Sequence, residues 1–494
     1  MRKKRRKILS STVSAACATT IDILPDYALL QIFHFCRVDH DPYKRPFHPH
    51  WQWKRLIHVS RRWRQIIFSS PRRLDLYLIC KPGTPVRKNL DIWPAFPITI
   101  DYFNYPPPIS PDDDDNIIAA LEHPDRVRCL NLPVTSSLLG KVATVAQESF
   151  PTLTELWLSS EDRSVVTVLP SAFLGGSAPR LRKICLDGIP FPTLPTFLSS
   201  ASDLVFLSLH YIPHTGYISP EVMVASLAAL TRLKSFSIGF QSLTSRPDQS
   251  GSIGRRAATP TRVVLPALAI FGFRGASEYL EDLVARIDTP RLASIMITYF
   301  NQLVFQVPQL FRFIDRTQII EKVMGAKVHL APSCICLYLI SGPGEHHRTL
   351  LSLYISCQGL DWQVSHLAEV LNQSSAVLPN IYHLYIKDEL SPRWQGEMDD
   401  IEWLTLIRQF TAVETLRISS RQTGHVAHVL NNVTVGMAPE LFPALRLLFL
   451  EYTRYETPER VEKFITARQL AGLPPIAIAK TEDEYRSMHN PPPP

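Results

Sequence analysis

Short stretches in which apolar residues alternate with other residues recur along most of the chain. Strict alternation over so few residues is typical of a β-strand with one buried face. The stretches are LNL (130–132), LWL (156–158), ICL (184–186), LSL (207–209), FSI (236–238), IFGF (270–273), IMI (295–297), VHL (328–330), LYI (353–355), LYI (384–386), LRI (416–418) and LFL (448–450). The pattern therefore predicts a dozen short strands, whose centres are spaced by roughly 23 to 34 residues.

Helical periodicity fills several of the intervals between these strands. The segments SEYLEDLVARI (277–287), VSHLAEVLNQ (364–373) and IEWLTLIRQF (401–410) each carry apolar residues at spacings of three and four. Such spacing gives a helix one apolar stripe, which must pack against another layer. A strand followed by a helix, repeated many times, predicts an α/β solenoid with parallel strands on its concave face and helices on its convex face.

The alternation within each strand also predicts which side chains face outward. If the flanking leucines point into the core, the residues between them point out of the concave face, because successive strand residues face opposite sides. Trp157, Tyr354, Tyr385 and Arg417 then become candidate anchors for a target protein, since Trp, Tyr and Arg dominate interface hot spots. A phase error of one residue is the alternative, and it would turn these side chains into the core.

The N-terminal part of the chain has a different pattern, with apolar residues at helical spacing. LPDYALLQIFHFC (24–36) and LIHVSRRWRQIIF (56–68) flank a polar segment, VDHDPYKRPFHPHWQW (38–53). The apolar side chains are too numerous for so small a unit to bury alone. This excess favours a segment that offers an apolar face to a partner, and the alternative is a helical segment packed on the rest of the chain.

The order of these residues resembles the F-box, in which an LP-initiated helix and a V-S-R-R-W-R helix dock on the Skp adaptor of a cullin–RING ubiquitin ligase. The resemblance implies adaptor binding by the matching residues, which are Leu24, Pro25, Leu29, Leu30, Ile32, Phe33, Val59 and Trp63. Residues 38–53 lengthen the connection between the two helices relative to the compact family pattern. The later repeats resemble the irregular leucine-rich repeats found behind F-boxes, although the Asn or Cys expected after each strand is mostly missing.

Divergent fungal F-box proteins are similar in the order of these parts, and W-P-A-F-P-I (93–98) and R-R-L-D-L (72–76) strengthen that likeness. Five segments follow from the patterns. We expect a disordered basic tail (1–20), an F-box (21–76), a Pro-rich connection (77–112), a leucine-rich-repeat-like solenoid (113–455) and a C-terminal tail (456–494). The run Asp112–Asp115 lacks the spacing of a calcium loop and indicates a solvated turn or a helix start.

Charge and cysteine usage narrow the functional classes. The net charge is +7, and the segment Arg2–Lys7 carries six of these positive charges, so the remaining chain gives no case for nucleic acid. No stretch reaches the ~18 apolar residues of a membrane span, and the N-terminus is too polar for a secretory signal. The eight cysteines are scattered, with one isolated CxC at Cys334 and Cys336. We therefore expect a soluble protein of the cytoplasm, the nucleus or both, with Arg2–Lys7 as a candidate import signal.

The sequence contains no phosphate-binding, zinc-protease or serine-hydrolase motif. The nearest approach to a ligand cluster is Glu345-His346-His347, which composition assigns to a loop. We expect neither an enzyme nor a bound metal or cofactor.

Three functions remain open. The first is a substrate-recognition subunit of a Skp–cullin–F-box ligase, with the Skp adaptor, its cullin and an unidentified target protein as partners. The second is a scaffold with the same parts that acts without ubiquitination. The third is a hydrolase or transferase within the repeats, which a pocket of perturbed titratable groups would indicate.

Overall fold

A computed structural model describes residues 21–36, 55–70, 73–104, 109–162, 166–243, 262–331, 333–342, 348–357, 363–374, 378–388, 400–420, 425–434, 436–452, 461–479 and 484–485. The predicted basic tail (1–20), the polar segment between the first two helices (38–53), the tripeptide 345–347 and the terminal prolines lie outside these residues.

Thirteen α-helices are formed within the described residues. They are α1 (Asp26–Cys36), α2 (Arg61–Ser69), α3 (Val86–Ile92), α4 (Pro111–Leu121), α5 (Ser136–Val145), α6 (Leu194–Leu198), α7 (Pro220–Leu227), α8 (Ser277–Val284), α9 (Pro308–Asp315), α10 (Gln363–Asn372), α11 (Asp400–Ile407), α12 (His425–Asn431) and α13 (Glu462–Leu470). The first two precede all strands, and the rest lie between or beside strands, as a strand–helix repeat requires.

The strands are β1 (Leu78–Cys80), β2 (Ile98–Asp101), β3 (Val127–Val134), β4 (Glu155–Ser160), β5 (Lys183–Asp187), β6 (Phe206–Ile212), β7 (Ser235–Phe240), β8 (Val263–Val264), β9 (Ile270–Gly275), β10 (Ile287–Asp288), β11 (Ser294–Tyr299), β12 (Gly325–Ala331), β13 (Cys334–Ile340), β14 (Thr349–Ser356), β15 (His383–Asp388), β16 (Thr415–Ser420), β17 (Leu447–Tyr452) and β18 (Ala477–Ala479). Each alternating stretch identified in the sequence lies within one of them.

Sixteen of these strands form one sheet, in the order β1-β2-β3-β4-β5-β6-β7-β9-β11-β14-β13-β12-β15-β16-β17-β18. Most neighbours are parallel and are joined through a helix, which confirms the predicted α/β solenoid. Strands β8 and β10 pair separately in a small parallel sheet. Since helices need about 10 Å of width and strands about 4.8 Å, a long row of such units curves with its strands inside.

The centre of the sheet departs from the predicted strand order. We expected each strand to pair in parallel with the next, but β12, β13 and β14 form an antiparallel meander, and β14 rather than β12 lies beside β11. Two residues separate β12 from β13, and a connection that short permits only an antiparallel hairpin. The apolar run CICLYLI (334–340), which the repeat period does not include, is the inserted strand.

The sheet also extends beyond the boundaries predicted for the solenoid. Strands β1 and β2 lie within the interval 77–112 assigned to a Pro-rich connection, and Ile98 and Ile100 are fully buried there. At the other end, α13 and β18 lie within the interval 456–494 assigned to a tail. Ile98-Thr99-Ile100 alternates like the repeat strands, so the proline content of its surroundings does not exclude a strand.

The aspartate run is a helix start, as one of its two interpretations predicted. Ser110 caps α4 by accepting from the backbone N–H of Asp113, and the Asp113 carboxylate accepts from the Ser110 N–H at 3.1 Å. The same carboxylate accepts from the Gly83 N–H at 2.9 Å. This reciprocal box satisfies donors that a helix N-terminus otherwise leaves unpaired. It also fixes the loop after β1 against α4.

The predicted inward leucines form the core between the sheet and the helices. Leu156, Leu158, Leu384 and Leu416 are all almost wholly buried. They belong to one continuous hydrophobic cluster that runs from Cys80 to Ala467. A second cluster lies within the N-terminal helices and reaches Leu78 and Phe96, so that these helices close one end of the solenoid.

Candidate binding surfaces

The N-terminal helix pair is held together by the polar residues of the V-S-R-R-W-R segment. Ser60 caps α2 by accepting from the Trp63 N–H at 3.2 Å. The Arg62 guanidinium reaches back to the start of α1, where it donates to the Leu24 carbonyl and to Asp26 Oδ1, both at 2.6 Å. A guanidinium that donates to a backbone oxygen and a carboxylate together fixes orientation as well as distance. The segment therefore sets how the two helices meet.

Half of the residues predicted to bind the adaptor lie inside this helix pair. Leu29, Leu30, Phe33 and Trp63 are buried, and the rings of Phe33 and Trp63 lie 4.8 Å apart. In this chain the four side chains form the core of the helix pair, and their direct contact with a partner stays a prediction. Of the other four, Pro25 and Val59 are exposed, and Leu24 and Ile32 are half-buried.

Large apolar side chains nevertheless face solvent on the outside of the pair. Tyr27 is 69% exposed and Phe35 73%, and their separation of eight residues places them on one side of α1. Ile23, just before this helix, and Val59, just before the cap of α2, are also more than half exposed. We term the exposed side chains of Ile23, Tyr27, Phe35 and Val59 the N-terminal apolar surface. The sequence analysis did not identify Tyr27 and Phe35, because regular apolar spacing marks the buried side of the same helix.

Aromatic contacts join the helix pair to the segment just before β2, and a hydrogen bond joins that segment to the start of β3. The Phe68 ring lies 6.0 Å from Trp93 and 5.6 Å from Phe96. Arg126 Nε donates to the Phe96 carbonyl at 3.0 Å. The W-P-A-F-P-I motif thus supplies the packing that holds the N-terminal unit against the solenoid.

The side chains opposite the core form a second surface, which we term the open face of the sheet. Its central row is fixed by strand register and consists of Asn131, Trp157, Cys185, Ser208, Ser237, Gly272, Met296, Ser352, Tyr338, Lys327, Tyr385, Arg417 and Phe449. Trp157, Tyr385 and Arg417 are half-buried here, between buried neighbours on their own strands. The predicted strand phase is therefore correct for these three.

Tyr354 lies one row away from the other three predicted anchors. Ser352 occupies the central row on β14, and Tyr354 is in register with Thr298 on β11 and Cys336 on β13. The Tyr338 hydroxyl donates to the Tyr354 hydroxyl at 3.1 Å, with the two rings edge to face. The predicted alternation thus gave the correct face of the strand, and the meander decided the row.

The four predicted anchors do not form one site. Trp157 lies near the N-terminal end, where its ring stacks on Phe206 with centroids 6.0 Å apart and an interplanar angle of 5°. Nine strand spacings separate β4 from β15, a distance of about 43 Å along the sheet. A target that contacts both ends must therefore be extended or large.

The C-terminal end of the open face carries an alternating row of cations and rings. Lys327, Tyr385, Arg417 and Phe449 are in register on adjacent strands, and we term them the cation–aromatic row. The Arg417 guanidinium lies 5.0 Å from the Tyr385 ring and 5.1 Å from the Phe449 ring, and Lys327 Nζ lies 5.1 Å from the Tyr385 ring. Such distances suit cation–π attraction. Arg417 also pairs with the Glu451 carboxylate at 2.9 Å.

A basic groove at the starts of β3 to β9 was not predicted from the sequence. It encloses about 510 Å³ and is lined by Arg128, Thr154, Glu155, Arg182, Lys183, Val205, Thr231, Arg232, Lys234 and Ala267. Lys183 pairs with Glu155 at 2.9 Å, and Arg232 pairs with Asp203 at 2.6 Å. The available signal was the basic residues in RLRK (180–183) and TRLK (231–234), which flank a buried leucine just before β5 and β7.

The pKa values of two acidic side chains are raised because the side chains are buried. Burial raises the pKa of Cys336 to about 12, so its thiol, 3.7 Å from the Cys334 sulfur, is protonated and weakly nucleophilic. Burial also raises the pKa of Glu281 to about 7. Its carboxyl accepts from the backbone N–H groups of Gln309 and Leu310 at 2.7 and 2.8 Å, and thereby caps α9. Among the described residues, no three His, Cys, Asp or Glu side chains are grouped to hold a metal.

Comparisons with known proteins identify no family. No protein-family model and no curated protein matches the chain. Among solved structures, the leucine-rich repeat-containing protein LegL7 from Legionella pneumophila is 12% identical with a TM-score of 0.26, over 80% of this chain and 98% of that one. A TLR13–ssRNA13 complex is 11% identical with a TM-score of 0.30, over 79% of this chain and 47% of that one. At such scores the likeness carries no argument, and the solenoid is established by strand order and register.

No helix in the described part of the chain is both long and apolar enough to cross a membrane.

Proposed function

We propose that this protein is the substrate-recognition subunit of a Skp–cullin–F-box ubiquitin ligase. In this proposal the N-terminal helix pair binds the Skp adaptor, and the open face of the sheet binds a target protein. The observation that carries it is the pairing of two parts in one chain. A V-S-R-R-W-R helix pair leaves apolar side chains in solvent, and a long repeat solenoid follows it directly.

The exposure of the N-terminal apolar surface supports a partner at that place. A soluble protein that shows several large apolar side chains together generally buries them in a complex. Burying a side chain the size of Val, Leu or Phe contributes roughly 1.5–3 kcal/mol. Tyr27, Phe35, Val59 and Ile23 together therefore suffice to anchor an adaptor. The buried residues Leu29, Leu30, Phe33 and Trp63 act indirectly, because they hold α1 and α2 in the orientation that presents this surface.

The function needs no bond chemistry from this chain. A receptor that holds the adaptor at one end and a target along its sheet raises the effective concentration of target lysines near the ubiquitin-conjugating enzyme. That effect requires a defined spacing between the two surfaces. The packing of Phe68 on Trp93 and Phe96 supports such a spacing, since it leaves little freedom between the helix pair and the sheet.

For the target, we propose Trp157, Tyr354, Tyr385 and Arg417 as contact residues with different roles. Trp157 offers a stacked ring at one end of the open face, and Tyr385 offers a ring between two cations at the other. Arg417 already pairs with Glu451, so its contribution is to hold the rings and the charge in place. Tyr354 belongs to a separate row. An effect of its substitution on target binding would show that the target spans the meander.

Adaptor binding is tested by substituting one exposed valine, with a second exposed valine as a matched control. Val59→Asp places a charge on the N-terminal apolar surface, whereas Val222→Asp places the same charge on the outer side of α7, where the valine is 46% exposed. Tagged full-length chains are purified from cells, and the Skp adaptor and cullin are quantified. We expect Val59→Asp to reduce recovery of both by more than about tenfold and Val222→Asp to leave it unchanged.

A double change, Tyr27→Ala with Phe35→Ala, repeats the test without adding charge. The double change Leu24→Ala with Pro25→Ala tests the two residues that precede the same helix. A change at Phe33 is less informative, because it would affect folding of the helix pair as well as adaptor binding. Full adaptor recovery from Val59→Asp and from the aromatic double variant would rule out adaptor binding by this surface. Recovery of adaptor without any cullin would instead favour the scaffold that acts outside ubiquitination.

A further inference from the structure

The C-terminal segment of the chain contacts the open face at the end of the cation–aromatic row. The Tyr485 ring stacks on Phe449 with centroids 4.9 Å apart and an interplanar angle of 24°. The Arg417 guanidinium lies 5.5 Å from the Tyr485 ring, which adds a third ring around that cation. Tyr485 follows β18 in the chain and lies outside the repeats, so this contact brings a segment from beyond the sheet onto its surface.

The two ends of the open face differ in how much of their aromatic surface is covered. Phe449 is only 3% exposed and its neighbour Leu447 only 7%, and both belong to strand β17, next to the last strand of the sheet. These two residues, with Ala479, form a small cluster separate from the main core, and Tyr485 packs against it. At the other end, Trp157 remains half-buried, and Phe103 from the turn after β2 contacts it at 6.5 Å between ring centroids.

The contact has a chemistry that a peptide segment can match. A guanidinium beside aromatic rings attracts a further ring through cation–π interaction and stacking. Lys327 in the same row and Lys387 on the neighbouring strand add positive charge, and Glu451 compensates one cation. The segment that supplies Tyr485 reads TEDEYR (481–486), with three acidic residues directly before the tyrosine. A tyrosine after acidic residues is therefore complementary to this surface in both shape and charge.

We propose that the open face around Arg417 and Phe449 is a binding site for a tyrosine preceded by acidic residues, and that the chain's own Tyr485 fills it in the free protein. The inference rests on the proposed target-binding role of the open face, which it makes more specific. A target segment of the same chemistry displaces Tyr485. Tethering gives the internal segment an effective concentration of the order of millimolar, so only a target that makes further contacts along the sheet competes well.

The test uses full-length protein and a fluorescent peptide with the sequence of residues 481–488. Binding is measured by fluorescence anisotropy, without adaptor or target, so its failure is distinguishable from failure of the proposed ligase role. We expect the peptide to bind Tyr485→Ala protein at least about tenfold more tightly than wild-type protein, because the variant leaves the site open. Adding Arg417→Ala to this variant should abolish binding, as should replacing the tyrosine of the peptide with alanine.

Two control variants make the result specific. Tyr485→Phe keeps the ring, so we expect it to exclude the peptide as wild-type protein does. Tyr382→Ala removes another half-exposed tyrosine, located just before β15, and should not admit the peptide. Equal peptide binding by wild-type and Tyr485→Ala protein would overturn the proposal, and so would binding that persists without Arg417. Loss of folding in Tyr485→Ala, detected by circular dichroism, would also overturn it, because Tyr485 would then be a structural cap.

Discussion

The N-terminal helix pair and the open face of the sheet both carry residues that sequence patterns assign to partner binding, but the helix pair buries half of them, whereas the open face keeps all four of its own at the surface. In the helix pair, Leu29, Phe33 and Trp63 form the interior, and the solvent-exposed apolar residues are largely others. On the sheet, Trp157, Tyr385 and Arg417 lie on the predicted side of their strands.

The difference lies in the geometry of the two elements. A strand has only two faces and a period of two, so one buried leucine fixes the orientation of its neighbours. A helix presents side chains all round, and an apolar residue can point toward its own unit or toward a partner. Apolar spacing in a small helical unit therefore identifies the helix without identifying its docking side. The following predictions test this contrast, beginning with the largest expected effect.

Trp63→Ala should destabilise the N-terminal unit by about 3–5 kcal/mol, because it removes a buried ring that packs on Phe33. We expect loss of adaptor capture together with increased proteolysis of residues 21–76, whereas Val59→Asp should lose capture without becoming sensitive to protease. Limited proteolysis and adaptor pull-down of the same preparations measure both effects. If Trp63→Ala remains protease-resistant while losing the adaptor, its side chain contacts the partner directly and the contrast breaks down.

Adjacent residues on β16 should respond in opposite ways. Leu416→Ala should cost about 2–5 kcal/mol of unfolding free energy, since its side chain is buried in the solenoid core. Arg417→Ala should cost about 1 kcal/mol or less, because its ion pair with Glu451 is partly exposed. Urea unfolding of the two variants, compared with wild-type protein, measures the difference. A larger loss for Arg417→Ala than for Leu416→Ala would mean that the open face is part of the core.

Trp157→Ala should weaken target capture by more than ~1 kcal/mol while leaving adaptor capture unchanged. The ring lies on the open face and stacks mainly on Phe206, so its removal leaves the buried leucines in contact. Binding of the target, once captured from cells, is compared between Trp157→Ala, Tyr385→Ala and wild-type protein. If neither change affects capture, recognition lies away from the central row, and the basic groove becomes the surface to test.

Glu281→Gln should produce the smallest change in folding stability. The change is confined to the solenoid and depends on pH. Burial raises the pKa of Glu281 from 4.5 to about 7, so the folded chain binds this proton more tightly than the unfolded chain does. The resulting stability is complete below about pH 4.5 and is lost as the pH rises through 7.

Wild-type protein should therefore gain about 2 °C more in melting temperature than Glu281→Gln when the pH falls from 8.0 to 5.5. Adaptor capture should be the same for both proteins at each pH, because Glu281 lies in the helix layer of the solenoid. The opposite sign, with wild-type protein losing stability at low pH relative to the variant, would show that backbone hydrogen bonds to the carboxylate outweigh its burial.

Most of the sheet was predictable because its information is local. Each strand such as LWL or LRI shows, by the alternation of its own residues, which of its faces is buried. The meander was not predictable in this way. CICLYLI alternates as well as any other strand, but its place between β12 and β14 follows from the two-residue connection to β12 and from its antiparallel pairing with β14.

The sequence by itself determined the strand–helix repeat, the inward leucines and the outward side of Trp157, Tyr385 and Arg417, because a period of two leaves one solution once a leucine is buried. Only the tertiary structure decided which face of α1 is free, which row Tyr354 joins, and that Tyr485 contacts Phe449 and Arg417. These features depend on contacts between residues distant along the chain. Such contacts are selected by the packing of whole layers, and no local pattern of residues encodes them.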